Sequence, residues 1–303
     1  MTALVHVHIH GAGKVGRALA AGLRRAGWKV RLSSHRRDPS PLIRSRMVVL
    51  AVRDSELAEV ARRWARDGRV AEGSVVLHTA GARTWWDLDP LRRQGTSVGQ
   101  MHPLLSFIGG RQQVCWSGAS MLVDGDAAAV AAGREIARAL GMRPRSMPEL
   151  DRAAYHASAA LVAGGAAALV WAASTMLCRA AGVSRREAEK MLAPLLLSVT
   201  DNVERTGLPG ALSGPIRRAD AATLGEHLKA ARRYAPQHEA LVREVGRVQL
   251  GMAGELGEAS VTALGQVKRL LDGRTAQRTR SKERPGVRDG KPGSLDRKDR
   301  SRL

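Results

Sequence analysis

Cysteine is nearly absent: the 303 residues hold two, Cys115 and Cys178. Two thiols cannot build the disulfide framework of a small secreted domain. HExxH, GxSxG, CxxC and zinc-finger spacings are also missing. Zinc-hydrolase, serine-hydrolase and thiol-redox readings therefore have no footing. Aromatics are scarce, with one Phe, two Tyr and six Trp. No aromatic–basic interleaving or helix-turn-helix signature accompanies the basic residues, so specific nucleic-acid binding is not expected. The N-terminus lacks the charged and apolar regions of a secretory signal, and the expected compartment is the cytoplasm.

Acidic residues are in deficit, 28 against 49 Lys and Arg, which leaves a net charge of +21. The excess is uneven. Residues 273–303 carry 11 Lys and Arg against 4 Asp and Glu, with Pro285, Pro292 and almost no large apolar side chain. Such a stretch cannot bury enough surface to fold and reads as a disordered basic tail open to nonspecific polyanion contact. The remaining charge is spread along the chain as surface Arg.

The first half alternates short apolar runs with helix-like segments. Leu4–Ile9, Trp28–Ser33, Met47–Val52, Ser74–His78, Thr96–Gln100 and Ala119–Val123 read as strands. The unbroken run Met47–Val52 fits a parallel strand covered on both faces. Helices are expected from Lys14, over Ser55–Ala65 and over Asp126–Leu140. This cadence predicts an α/β fold with a doubly wound, mostly parallel sheet.

After Pro144 and Pro148 strand signals stop. Glu149–Ala181 reads as one long helix. A second follows Ser184, which with Glu187 makes a capping-box spacing, and runs toward Thr206 with a kink expected at Pro194. More helices reach about Leu271. The expected division is an α/β domain over 1–147, an all-helical domain over 148–272 and the tail. Within the long helix, Ala157–Cys178 carries no charge over about one bilayer thickness. It is mostly Ala, Gly and Ser, which gain little from lipid and suit close helix packing, so no membrane span is expected.

The strongest local signal is Gly11-Ala12-Gly13-Lys14-Val15-Gly16. It lies between a strand and an amphipathic helix, with a second strand after the helix. That context makes it a dinucleotide-binding turn. Gly11 permits the tight turn, Gly13 lets the backbone approach a pyrophosphate, and Gly16 lets helix and strand pack closely. The helix N-terminus offers free N–H groups to the phosphates. At the end of the second strand the chain reads Ser33-Ser34-His35-Arg36-Arg37, with no carboxylate before Asp38. Hydroxyls at Ser33 and Ser34 and guanidinium groups at Arg36 and Arg37 suit a 2′-phosphate, which favours NADP over NAD. His6, His8 and His10 alternate on the first strand and are expected as core or rim residues, with no metal site.

GAGKVGRAL, AVRDSEL, LHTAGA, MHPLLSF, YHASAALVAGG and LSGPIRRAD together resemble the Rossmann-like proteins with a C-terminal helical domain of unknown function. That family is similar to pyrroline-5-carboxylate reductase, ketopantoate reductase and prephenate dehydrogenase. The resemblance covers about 5–265. It implies an NADP-linked oxidoreductase acting on a small-molecule substrate, a reductase of a ketone, keto acid or imine, and a homodimer built through the helical half. It also implies that Ala51, Val52 and Arg53, and then His78, Thr79 and Gly81, line the cofactor. His102 would edge the cleft and Tyr155 and His156 would open its helical wall. Ser213, Gly214, Arg218 and Asp220 would close the substrate pocket. Where the family pattern carries an Asn, about eight residues after the Tyr-His pair, this chain has Gly164-Gly165. Asn202 is the candidate replacement. A non-catalytic NADP(H)-binding sensor or scaffold therefore stays open as an alternative.

Hydride chemistry needs a proton source, and near neutral pH a His suits that role. His156 is the first candidate and His102 the second.

Overall fold

The computed structural model describes residues 7–34, 42–110, 114–147 and 149–273. Within them the chain separates into two compact units, Met1–Val170 and Trp171–Leu303. The expected boundary at 147/148 precedes the long helix, whereas the units divide inside it.

The first unit is built on a seven-stranded sheet. Its strands are β1 (Val7–His10), β2 (Val30–Ser33), β3 (Met47–Leu50), β4 (Val75–His78), β5 (Ser97–Pro103), β6 (Ser120–Gly125) and β7 (Arg143–Arg145), in the order β2-β1-β3-β4-β5-β6-β7. Every neighbouring pair is parallel except β5 with β6. β7 contains Pro144, where strand signals had been expected to stop. It sits at the sheet edge, where the N–H that proline lacks has no partner to lose.

Period-two alternation sorts the strand side chains between two layers. Val7, Ile9, Met47, Val49, Val75 and Leu77 join one core with Leu19 and Leu23 of α1 (Lys14–Arg25) and Ile136 of α4 (Ala127–Ala139). Val48, Leu50 and Val76 join the other with Leu57, Val60 and Trp64 of α2 (Asp54–Arg66) and Leu91 of the short α3 (Asp89–Arg92). Trp85 and Trp86 stack at 3.8 Å in the 3-10 turn before α3, with Trp85 against this second core and Trp86 exposed. Each fully buried Leu or Val contributes about 1.5–3 kcal/mol by leaving water.

The strand order reverses beside β1: the chain leaves β1 for β2 on one side and returns to β3 on the other. The strands stay paired to their ends, and the connections that leave β1 and β3 run to opposite sides and leave a crevice at their carboxyl ends.

Helix α5 (Arg152–Ala181) begins three residues later than expected because the Asp151 carboxylate caps the N–H groups of Ala153 and Ala154. By length and composition α5 suffices to cross a bilayer. Leu161 and Val162 on it are exposed.

In the second unit, α6 (Arg185–Thr206) opens on the Ser184–Glu187 capping box and continues through Pro194. Met191, Leu195 and Leu197 on it are exposed. Helices α7 (Ala221–Tyr234), α8 (Glu239–Leu256) and α9 (Val261–Leu271) enclose a separate core of Leu212, Ile216, Leu224, Leu228, Ala253, Val267 and Leu271. The expected tail lies outside the described residues from 274 onward.

Candidate functional site

The crevice at the sheet's reversal holds a cavity of about 350 Å³, lined by Gly11, Ala12, Gly13, Arg17, Ser34, Ala51, Val52, Arg53 and Glu56. The three glycines of the turn behave differently. Gly11 has φ +113°, and a Cβ there would lie 2.3 Å from the Ala51 carbonyl oxygen. A Cβ on Gly16 would lie 1.9 Å from the Gly11 carbonyl oxygen. Both must be glycine for the strand, turn and helix to pack. A Cβ on Gly13 would meet nothing within 4 Å. Gly13 is also the N-cap of α1, and no side chain caps that end. The helix thus presents unsatisfied N–H groups and the positive end of its dipole to open space inside a cavity, an arrangement that accepts an anion.

Lys14 and Val15 start α1 beside this cavity, and the Lys14 stem packs against Gly109 in the loop after β5. Arg17, which motif reading passed over, turns its Nε–H onto the Ala12 carbonyl at 2.6 Å and shapes the turn. Arg53 is ion-paired with Glu56 at the rim. Ser33 and Ser34 part company. Ser34 lines the cavity, whereas Ser33 Oγ lies 2.7 Å from His8 Nε2 and 3.0 Å from His10 Nδ1, both buried histidines of β1. His6, Arg36 and Arg37 lie outside the described residues.

A second cluster forms where β4 and β5 end and α5 begins. His78 is fully buried; its Nδ1 accepts from the Ala80 N–H at 3.2 Å, so its Nε2 donates to the Thr84 carbonyl at 3.1 Å. Burial pushes its pKa down to about 4, the hydrogen bond to Thr84 opposing only partly. A neutral imidazole locked this way braces the Thr79–Thr84 loop rather than facing a ligand. Gln100 adds to the brace by donating to the carbonyls of Ala80, at 2.6 Å, and Arg83, at 2.9 Å. Thr79 is buried in the same loop.

The brace sets Gly81 against two imidazoles. A Cβ there would lie 2.6 Å from His156 Nδ1 and 2.7 Å from His102 Nε2. The two rings stand 5.8 Å apart, and His102 Nδ1 is 2.9 Å from the Tyr155 hydroxyl. Burial, and secondly His156, lower the His102 pKa to about 4, while burial raises that of Tyr155. At neutral pH His102 is therefore uncharged and Tyr155 keeps its proton. Two tautomers are compatible with their contact: Tyr155 donates to Nδ1, or Nδ1–H donates to the phenol and frees its O–H. His156 Nδ1 is buried without a hydrogen-bond partner among the described residues.

These groups open onto a cavity of about 610 Å³, lined also by Leu104, Leu105, Ser106, Ser158, Ala159, Ala160, Val162 and Ala163. Behind it, Arg152 is 8% exposed and ion-paired with Asp124 at the base of α5. Neither residue stood out in sequence, because only the fold joins the end of β6 to the start of α5.

The remaining expected residues lie in the second unit. Asn202 is exposed on α6, Ser213 and Arg218 are exposed, and Gly214 has φ +92°. Asp220 caps α7 by accepting from the Thr223 N–H at 3.0 Å and hydroxyl at 2.6 Å, which lowers its pKa. The anchor of this loop is Arg217: it donates to the carbonyls of Gly210 and Leu212 and grips Glu258 through two nitrogens.

Residues 1–103 match the family model of a Rossmann-like domain, and residues 119–248 match a domain of unknown function, DUF2520. No curated protein matches the sequence. Among solved structures, the chain is similar to a Bacteroides fragilis protein provisionally assigned as an NADP oxidoreductase, at 17% identity and TM-score 0.65, over 80% of this chain and 96% of that one. It is also similar to the Plasmodium falciparum pyrroline carboxylate reductase with NADP bound, at 14% identity and TM-score 0.53, over 82% and 98%. An imine reductase from Pseudomonas sp. aligns at 17% identity and TM-score 0.52, over 86% and 98%. At such identities the likeness is one of fold. The seven-stranded sheet and its glycine turn agree with the Rossmann-like match, and the two matches stand along the chain in the order to which its motifs point.

Proposed function

We propose that this protein is an NADP(H)-dependent oxidoreductase that reduces a C=O or C=N group of a small molecule. The observation that carries the reading is the open space in front of Gly13, where uncapped helix N–H groups face a cavity at the reversal point of the sheet. Gly11, Ala12, Gly13, Lys14, Val15 and Gly16 would hold the pyrophosphate. Ser34, with Arg36 and Arg37, would hold the 2′-phosphate, and Ala51, Val52 and Arg53 the adenosine side. The NADP named with several fold neighbours supports the same choice. When bound, NADPH supplies the hydride.

The chain's own task is to orient the substrate and deliver a proton. His156 is the proton donor in this reading: its side chain lines the larger cavity beside Tyr155. His102, held neutral and bonded to Tyr155, orients the pair. Gly81 lets both rings approach the end of β4. The exposed apolar residues of α5 and α6 are assigned to a homodimer interface rather than to lipid. The expected setting is the cytoplasm.

Thermal-shift titration tests the cofactor. NADPH is expected to raise the melting temperature more than NADH, by linkage, and the Arg36→Ala/Arg37→Ala variant to erase the difference. Equal stabilisation by NADH in the parent chain overturns the choice of NADP. His156→Ala is expected to lower kcat at least tenfold with little change in NADPH affinity; unchanged turnover removes it from the mechanism.

One observation favours a second reading, an NADP(H)-binding sensor without turnover. Gly164 is exposed on α5 where the resemblance places an amide side chain. Tight NADPH binding with no oxidation across ketones and imines would favour it.

A further inference from the structure

The larger cavity has an unbalanced lining. Three polar side chains, His102, Tyr155 and His156, stand together at the end of β5 and the first turns of α5. Leu104, Leu105, Ala159, Ala160, Val162 and Ala163 line much of the rest, with the hydroxyls of Ser106 and Ser158. No Lys, Arg, Asp or Glu among the described residues lines it. Among the described residues Arg152 lies close behind, buried and ion-paired with Asp124, so that its charge reaches Tyr155 only as a secondary influence.

Carboxylates that enter such a cavity lose part of their water and find no fixed cation among the described residues. Leu104, Ser158 and Val162 are exposed and leave one side open to water, so the penalty is a fraction of the several kcal/mol that an unpaired, fully buried ion incurs. A neutral carbonyl or imine carries no such cost and gains from apolar contact. The volume, about 610 Å³, is in the range of drug-sized ligand sites and well beyond what a three- or four-carbon keto acid fills.

On these grounds, and resting on the reductase reading above, we infer that the substrate is a bulky, neutral, apolar ketone or imine, and that carboxylated substrates are rejected. The keto-acid branch of the sequence-based expectation falls away. The C=O or C=N end sits against His156 and Tyr155, and the apolar body lies along Leu105 and the α5 face. Reduction then takes a hydride onto carbon, moves the π pair onto oxygen or nitrogen, and places there a proton from His156, with NADPH leaving as NADP⁺.

Matched pairs of probes that differ by a carboxylate test this. 4-Phenylbutan-2-one is compared with 2-oxo-4-phenylbutanoate, and 1-methyl-3,4-dihydroisoquinoline with its 1-carboxylate. Two readouts are taken on the full chain loaded with NADPH: kcat/KM for NADPH oxidation, and saturation-transfer NMR for binding. The neutral member of each pair is expected to win by at least tenfold in both. If nothing is turned over, the reductase reading fails while NMR still decides the cavity: transfer to the neutral members alone upholds its apolar preference. Transfer to the acids equally, or to no probe, overturns it. An acid preference that grows as pH falls would mean that the lining supplies a cation to the carboxylate, and also overturns it. Ser158→Arg, at an exposed helical position, is expected to shift the acid-to-neutral ratio at least tenfold toward the acids. Ala163→Lys provides the same charge if the first variant misfolds. An unmoved ratio in a folded variant that places its cation at the lining counts against the inference.

Discussion

Gly81 and His156 are in such close contact that a methyl group on the glycine would stand 2.6 Å from the imidazole Nδ1. The same methyl would lie 2.7 Å from His102 Nε2. Gly81→Ala must therefore push two rings aside, at a cost of about 1–3 kcal/mol. The variant is expected to fold, to shift the imidazole ¹⁵N resonances of both histidines, and to lose at least tenfold in turnover. Unshifted resonances would show that the rings do not pack on this glycine.

The glycine turn yields a prediction with opposite outcomes at neighbouring positions. Gly13 has φ −75° and open space at its Cβ, so Gly13→Val meets no clash and should cost about 1 kcal/mol, the loss from an apolar N-cap residue. It is expected to weaken NADPH binding at least a hundredfold, because the new side chain occupies the place of the phosphates. Gly16→Ala drives a methyl into the Gly11 backbone and should cost about 1–3 kcal/mol or more. Denaturant melts and NADPH titration separate the two. A Gly13→Val chain with unchanged NADPH affinity would empty the phosphate reading.

How much of this was legible in sequence depends on distance along the chain. Strand, turn and helix around Gly11–Gly16 are contiguous, and each glycine's role follows from its spacing. Met47–Leu50 announced a strand buried on both faces, and Ser184 with Glu187 announced its own cap. By contrast, the His102–Tyr155 contact joins residues 53 apart, and the Arg152–Asp124 pair joins residues 28 apart. No local pattern encodes either. Ser33 shows the opposite failure. Its position suited a phosphate, yet two histidines chosen as bland core residues engage its hydroxyl. β7 was hidden because proline is a poor strand former except at an edge, and edges are known only once the sheet is assembled.

His78 makes stability depend on pH. Its imidazole titrates near 6.5 in the unfolded chain and near 4 when folded, because burial disfavours the charge. Above pH 6.5 neither state holds the proton. As pH falls toward 4 the unfolded chain takes it up first, so folding loses on the order of 3 kcal/mol from this group across that window. His102 acts in the same direction for the same principal reason. Chemical denaturation between pH 7 and 4 should show stability falling with a slope that His78→Gln reduces by about half. A slope that the variant leaves unchanged would mean that His78 is already protonated in the fold or reaches solvent.

The Asp124–Arg152 pair supports the site from behind. Arg152 is 8% exposed, and its Nη1 has no hydrogen-bond partner among the described residues, so Asp124 is its main compensation. Asp124→Ala removes that partner and strands a buried cation, at a cost of about 3–5 kcal/mol. It also removes the acceptor for the Gly125 N–H, 2.9 Å away at the end of β6. Replacing both members, Asp124→Leu with Arg152→Met, leaves no unpaired charge and should restore most of the loss. The start of α5, where Arg152 precedes Tyr155 and His156 by one turn, gives the pair a second readout. If the pair sets the angle of that turn, the double variant regains stability but not turnover. If stability and turnover return together, the ion pair is dispensable to the site and the helix start is fixed by the Asp151 cap alone.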